Sequence, residues 1–275
     1  MKNKFMKWLS VPYLLWSAAF IIIPLIMVFY FGFTDKYGHF TLSNVYSIAL
    51  PVHFKSLVIA LVLSLISTII CLLLSYPLAM ILANMSSGEG NNKLMILVFV
   101  LPMWMNFLLR TLAWQTLLEN EGVINTILRF MHLPALKIIN TPYAIVFGMI
   151  YNFLPFMVLP IYNVLCKIDK NLLNAARDLG ANEIKTFLKV TLPLSVPGII
   201  SGITMVFVPA LTTFVISDLL GGSKILLIGN VIEQEFTLNS NWNLGSGLSV
   251  VLMLFIIISM IASAIFDKDG EGSAL

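Results

Sequence analysis

Charge is what this 275-residue chain has least of. Only 11% of its residues are Asp, Glu, Lys or Arg, against about a quarter in soluble domains. A soluble globular domain needs a charged surface to stay dissolved, so that class is excluded. A disordered chain is poor in apolar and aromatic residues, whereas here they make up 59% and 12%. The net charge of +3 comes from scattered cations, not a basic stripe, and this argues against a nucleic-acid partner. Cysteine is almost absent. Cys71 and Cys166 form no CxxC and no disulfide framework, and both are expected to be free buried thiols. The three histidines, His39, His53 and His132, share no ligand spacing with carboxylates, so no metal site is expected. HExxH, GxSxG and Walker A patterns are missing too. No catalytic residue is therefore nominated, and energy for any work must come from outside the chain.

What is present is apolar sequence, with a mean hydropathy of +0.95. A helical membrane span needs about 20 mostly apolar residues. Six runs qualify, at about 8–33, 56–83, 94–118, 141–165, 193–217 and 244–266. Lipid cannot satisfy free backbone groups, so helices are the expected form. The reading is an all-α, polytopic membrane helix bundle, a single domain over 1–275. The first run follows Lys2, Lys4 and Lys7, but its apolar core is too long for a signal peptide and no small-residue cleavage site follows. No Asp or Glu falls inside any run, which argues against a proton-driven carrier. Arg110 is the one formal charge within a run, seventeenth in the third and so towards its outer end. Pro24, Pro77, Pro102, Pro155, Pro160, Pro197 and Pro209 lie in five of the six runs, as suits a bundle that bends.

Lys and Arg placement sets orientation. With the N-terminus inside, ten lie in inner segments and five in outer loops, so both termini are expected in the cytoplasm. Tyr13, Trp16, Trp114, Tyr143 and Trp242 lie near run ends, as interfacial belt residues do. The outer loops, roughly 34–55, 119–140 and 218–243, are long enough for short helices, whereas Asn84–Lys93 is a short polar turn.

The inner loop at 166–192 is the most informative segment. Leu172, Leu173, Ala176, Leu179 and Gly180 recur at helical spacing, with Asp169, Lys170 and Asn171 at the start and Gly180 as the stop. A second amphipathic piece covers Glu183–Val190, and Pro193 is expected to open the next span. A surface helix in such a loop either adheres to lipid or docks in a groove of a soluble partner.

Here the residues resemble a known family. Asn174-Ala175-Ala176, then Gly180, then Val190-Thr191-Leu192-Pro193 resembles the EAA loop of ABC importer permeases. Asn174 replaces the usual glutamate and Val190 the usual isoleucine. Leu101-Pro102-Met103-Trp104-Met105-Asn106 with Leu109-Arg110 is similar to the third-span signature of polyamine permeases. Ser217-Asp218-Leu219-Leu220-Gly221-Gly222 and Leu227-Ile228-Gly229-Asn230-Val231-Ile232 resemble their connection after the fifth span. These matches, with the loop, cover most of residues 56–245.

The resemblance implies a bacterial plasma-membrane permease subunit of an ATP-driven importer, for spermidine or putrescine or else another small solute. It implies a second permease subunit, two ATPase subunits that hold ATP and Mg²⁺, and an external binding protein. This chain would carry no cofactor and would be no enzyme itself. Asn174, Ala175, Ala176, Asp178, Gly180, Leu192 and Pro193 would then form the ATPase-coupling element. A polyamine calls for carboxylates around its ammonium groups and aromatics along its methylenes. Asp218 and Glu233, with Trp104, Tyr151 and Phe214, are the candidate path residues. Arg110 would repel such a substrate, so it is expected to be a structural charge paired with Asp218 or Glu233.

Overall fold

The computed structural model describes residues 11–86, 99–222 and 224–272. The protein is all-α over these residues. Outside its helices the described chain has only an isolated bridge between Thr34 and Phe40. Five described helices are long and apolar enough to cross a membrane: Pro12–Gly32, Pro51–Met85, Pro142–Leu165, Glu183–Thr212 and Trp242–Ser263. The expected beginning of the first span, most of the polar turn at 84–93 and residues 94–98 of the third span lie outside the described residues.

Contacts divide the chain into two compact units, Met1–Lys55 with Val231–Ile256, and Ser56–Asn230 with Ile257–Leu275. In the first unit, α1 (Val11–Ser17) runs through a π-helical turn (Ala18–Ile22) into α2 (Ile23–Gly32). The π turn precedes Pro24. A proline ring clashes with the carbonyl four residues back and donates no hydrogen bond. The wider turn lets Ile23 N–H reach the Ala18 carbonyl and leads the chain past that defect. Not one residue of the most apolar stretch of this span is buried within the chain. The carbonyls at the end of α2 are gathered by two asparagines. Asn44 Nδ2, on α3 (Ser43–Tyr46), donates to Thr34 O at 2.9 Å, and Asn243 Nδ2 to the same oxygen at 2.7 Å. Those helix-end acceptors would otherwise be orphaned in an apolar setting.

The second unit holds the packed core. The helix α4 (Pro51–Ser86) enters it at Ser56 and lies against α7 (Pro142–Leu165). Ser67, Cys71 and Ser75, one turn apart, meet Met149, the Ile150 carbonyl and the Leu154 carbonyl in turn. Small polar side chains at that spacing let two membrane helices approach and hydrogen bond. The fifth span is one continuous path: α9 (Glu183–Thr186), a π-helical stretch (Phe187–Thr191) and α10 (Leu192–Thr212). The expectation that Pro193 opens this span is corrected. The helix begins at Glu183, and again a π turn, with Leu192 N–H on the Phe187 carbonyl, precedes the proline. On α10, Gly198 and Gly202 face α7. A Cβ at Gly202 would come within 2.6 Å of Met157 Sδ, and one at Gly198 within 3.0 Å of the Pro160 carbonyl. Tyr76 OH and Ser195 Oγ, 2.7 Å apart, tie α4 to α10.

The third predicted span is not one continuous helix over its described residues. A 3-10 turn (Leu101–Trp104) ends in extended backbone at Met105, and α5 (Phe107–Leu118) starts afresh. Pro102 suits a first turn, and the Asn106 side chain accepts from Leu108 N at 2.8 Å, capping the new helix. Short helices occupy the connections as expected: α6 (Val123–Phe130), α11 (Val215–Gly221) and α12 (Ile228–Thr237). The last helix is α13 (Trp242–Gly272). Beside α6, Arg129 clasps Glu121 through two bonds of 2.9 Å. That guanidinium holds the Glu121 carboxyl below the usual range, and Glu121 raises Arg129 in return.

Candidate functional site

The loop between α7 and α10 folds as α8 (Lys170–Asp178), a glycine stop, then α9. Asp169 caps α8, its carboxylate accepting from Asn171 N at 2.9 Å. At the other end Gly180 adopts φ +80°, a left-handed conformation that favours glycine. Gly180 N donates to the Arg177 carbonyl at 2.8 Å and Ala181 N to the Ala176 carbonyl at 3.0 Å. This pair of bonds is a Schellman motif, and it satisfies carbonyls that the helix end leaves open. Asn182 then caps α9, and an Arg177–Glu183 ion pair of 3.0 Å spans the glycine turn.

The single apolar stripe read from the sequence separates into two faces. Lys170, Leu173, Asn174 and Arg177 look inwards onto a cavity of ≈ 660 Å³, whose other walls include Asn84, Cys166, Thr186 and Phe187. Leu172, Ala175 and Leu179 lie on the opposite side of α8, and Leu179 is 90% exposed. Ile184 on the next helix and Leu188 in the following π turn are exposed as well. Ala176 is half-buried, whereas Asp178 and Gly180 are exposed. Nothing lies within 4 Å of a Cβ built on Gly180. Leu192 and Pro193 sit inside the continuous helix instead of at its start. Of the two thiols, Cys71 is buried as expected, but Cys166 is exposed at the end of α7.

Arg110 and Tyr151 come together. Both line a cavity of ≈ 440 Å³ with Leu82, Phe99, Pro102, Leu154 and Pro155. Arg110 is 7% exposed, and its Nε has no hydrogen-bond partner. The two ion pairs among the described residues, Arg129–Glu121 and Arg177–Glu183, do not include it. The expected pair with Asp218 does not form. Nor does Arg110 reach an outer end, since its cavity neighbours belong to the middle of α7. Trp104 is 75% exposed, and the Tyr151 ring stacks edge-on against Trp114 at 5.2 Å.

Phe214 and Asp218 form a second cluster, where the chain breaks between α10 and α11. The buried Asn230 organises it. Asn230 Nδ2 donates to Asp218 Oδ1 at 2.7 Å and to the Phe214 carbonyl at 3.1 Å, while its Oδ1 accepts from Leu227 N at 3.0 Å. Gly229 lies so close to the end of α10 that a Cβ would be 2.8 Å from the Thr212 carbonyl. Asp218 therefore holds the connection together. Glu233 belongs to the other unit, where its carboxylate accepts from Thr237 Oγ1 at 2.9 Å. The sequence placed Asn230 in a stretch of resemblance but gave it no role. Its signal was an asparagine inside an apolar segment, which needs partners when buried.

Multiple apolar helices, interrupted at the third span and joined by a helical loop before the fifth, define a multi-pass membrane transport fold. The chain belongs to the family described as the inner membrane component of binding-protein-dependent transport systems, which it matches over residues 53–269. It is 37% identical to the spermidine/putrescine transport system permease protein PotB of Haemophilus influenzae, over 98% of each chain. It is 36% identical to PotB of Salmonella typhimurium, again over 98% of each. With PotB of Escherichia coli it shares 35% identity, over 93% of this chain and 97% of that one. Among solved structures it is similar to a bacterial ABC transporter involved in the import of the acidic polysaccharide alginate, with a TM-score of 0.75, 18% identity and 96% of each chain covered. At that identity the likeness is one of fold.

Proposed function

We propose that this chain is a permease subunit of an ATP-driven importer for polyamines such as spermidine and putrescine. The observation that carries the substrate class is the 35–37% identity, over nearly the whole chain, to PotB proteins. In this reading an external binding protein delivers the polyamine, a second permease completes the membrane path, and two ATPase subunits hold ATP and Mg²⁺. Both termini face the cytoplasm, and α8 with its following turn docks into the ATPases.

The outward face of α8 supports the docking role. Leu172, Ala175 and Leu179 present an apolar strip with a small residue at its centre, as a helix seated in a groove requires. The Asp169 cap and the hydrogen-bonded Gly180 turn join α8 to the fifth span as one lever, with the exposed Arg177–Glu183 pair adding little. Closure of the ATPases on ATP would move that lever, and α10 would carry the movement into the bundle through its close contact with α7. Asn174, where glutamate is usual, lines the inner cavity, away from the outward apolar strip. Tyr151, Trp104, Phe214, Asp218 and Glu233 are offered as path residues, with Asp218 also anchoring its connection.

The test is uptake of labelled spermidine by cells that depend on this chain together with its partner subunits. ATP-dependent uptake that competes with putrescine is the expected result. Uptake that follows the proton gradient instead would sink the reading. Gly180→Asp strains the φ +80° turn, but its Cβ meets open space, so the variant should still insert with a modest fall in Tm, and lower uptake by about tenfold or more by placing a charge on the docking face.

A further inference from the structure

Arg110 is a buried cation without a counter-charge among the described residues. Its Nε is sealed and unpartnered, and the residue is 7% exposed. The cavity it enters is walled mostly by Leu82, Pro102, Leu154 and Pro155, with Tyr151 adding a phenol. Tyr151 and Leu154 are the tenth and thirteenth residues of α7, which has 24. At 1.5 Å per residue they lie roughly 14–17 Å from the nearer end of that helix. The guanidinium is therefore held near the middle of a membrane-spanning helix.

A charge at that depth is held by an opposite charge, by carbonyls or by a polar cavity, and in a cavity walled by leucine and proline an opposite charge is the strongest of these. The described residues offer none. No Asp or Glu falls within any of its predicted spans, and Asp218 Oδ1 is taken by Asn230. The nearby Asn152 amide has a second orphaned atom, its buried Oδ1, but an amide cannot neutralise a guanidinium. A phospholipid phosphate stays at headgroup level, far from mid-helix. A polyamine would be repelled. A carboxylate on a neighbouring membrane helix remains, and the guanidinium fork matches a carboxylate in two parallel bonds.

We infer that the Arg110 cavity is the seat of an Asp or Glu side chain of the second permease subunit, received when the two subunits pair. This rests on the two-permease assembly proposed above. The pair would fix the register of the two subunits at mid-depth, where few other polar contacts are available.

The test uses the assembled complex with native ATPases. Arg110→Gln is made, and each Asp or Glu within the predicted spans of the second permease is changed in turn to Asn or Gln. Arg110→Gln should lower the Tm of the complex by roughly 5 °C or more. One carboxylate substitution should produce the same loss, and the double variant should lose no more than either single. Exchange of the two charges should restore most of it. If Arg110→Gln fails to accumulate, the carboxylate series alone decides, since each member keeps Arg110. A carboxylate series with no such loss overturns the inference, as does strict additivity. So does an equal Tm loss from Arg110→Gln in the chain produced without the second permease. A stabilisation by phosphatidylglycerol vesicles that vanishes in Arg110→Gln would assign the anion to lipid, and also overturns it. If the native chain does not co-purify with a second permease, the two-permease reading itself fails. Co-purification without coupling sinks only the Arg110 pair.

Discussion

The helices α7 and α8 are separated by only four residues, 166–169, and use their apolar side chains in opposite ways. More than half of the most apolar window of α7 is buried within the chain, the largest share of any candidate span. It is held by α4 through Ser67, Cys71 and Ser75, and by α10 through Gly198 and Gly202. The nine-residue α8 instead turns Leu172 and Leu179 outward, half and nine-tenths exposed. A span can leave leucine exposed because lipid receives it, as along Pro12–Gly32. A short helix flanked by Lys167, Lys170, Arg177, Asp178 and Glu183 lies in a polar setting where exposed leucine is costly unless a partner covers it. The same residue type therefore signals packing in one helix and docking in its neighbour.

The largest expected effect is on the packed side of this comparison. Gly202→Leu would drive a side chain into Met157, already 2.6 Å from a bare Cβ. Overpacking of this kind costs about 1–3 kcal/mol or more. Folded protein recovered by size-exclusion chromatography, and its Tm, should both fall sharply. An unchanged Tm would mean that α7 and α10 are less closely packed than the distances say.

On the docking side, Leu179→Glu should separate stability from function. The residue is 90% exposed, so the fold should change by less than ~0.5 kcal/mol. An unpaired charge in a docked interface costs about 2 kcal/mol or more, so ATPase co-purification and spermidine uptake should fall by about tenfold or more. Equal losses in stability and uptake would break the distinction between the two helices.

The smallest effect belongs to a solvated pair remote from both. The Glu121 carboxyl is held low by Arg129. A lowered folded-state value contributes stability above the unfolded value, which is lost as pH falls through the folded one. Arg129→Gln should return Glu121 towards the ordinary carboxylate range, seen as a shift in its titration. It should leave Tm at neutral pH unchanged, because exposed pairs contribute little. A marked fall in Tm at neutral pH would show that this connection is more than a solvated turn.

Much of the fold was legible because the solvent imposes it. Six long apolar runs leave little choice but helices, and five of them appear as long helices, four within about five residues of the expected bounds and the fifth starting ten residues earlier. The α8 loop was legible too, because caps and glycine stops are local chemistry. Asp169 and Gly180 act as their positions suggest. The third span was not, since Asn106 reads as one polar residue in an apolar run until its side chain is seen capping α5. The start of the fifth span was misplaced because proline looks like a beginning, whereas a π turn carries the helix through Pro193. Arg110 was recognised as costly, but its place beside the middle of α7 and its unpartnered Nε depend on which helices enclose it.

Composition and pattern determined the membrane, the helices and the place of the surface loop, because each is set by the balance of apolar area, backbone hydrogen bonding and local caps. Only tertiary structure decided which face of α8 is outward, that Asn230 and not Arg110 holds Asp218, and that Arg110 lies beside the middle of α7. Those facts depend on residues far apart in sequence meeting in one cavity, and no period or local motif encodes such a meeting.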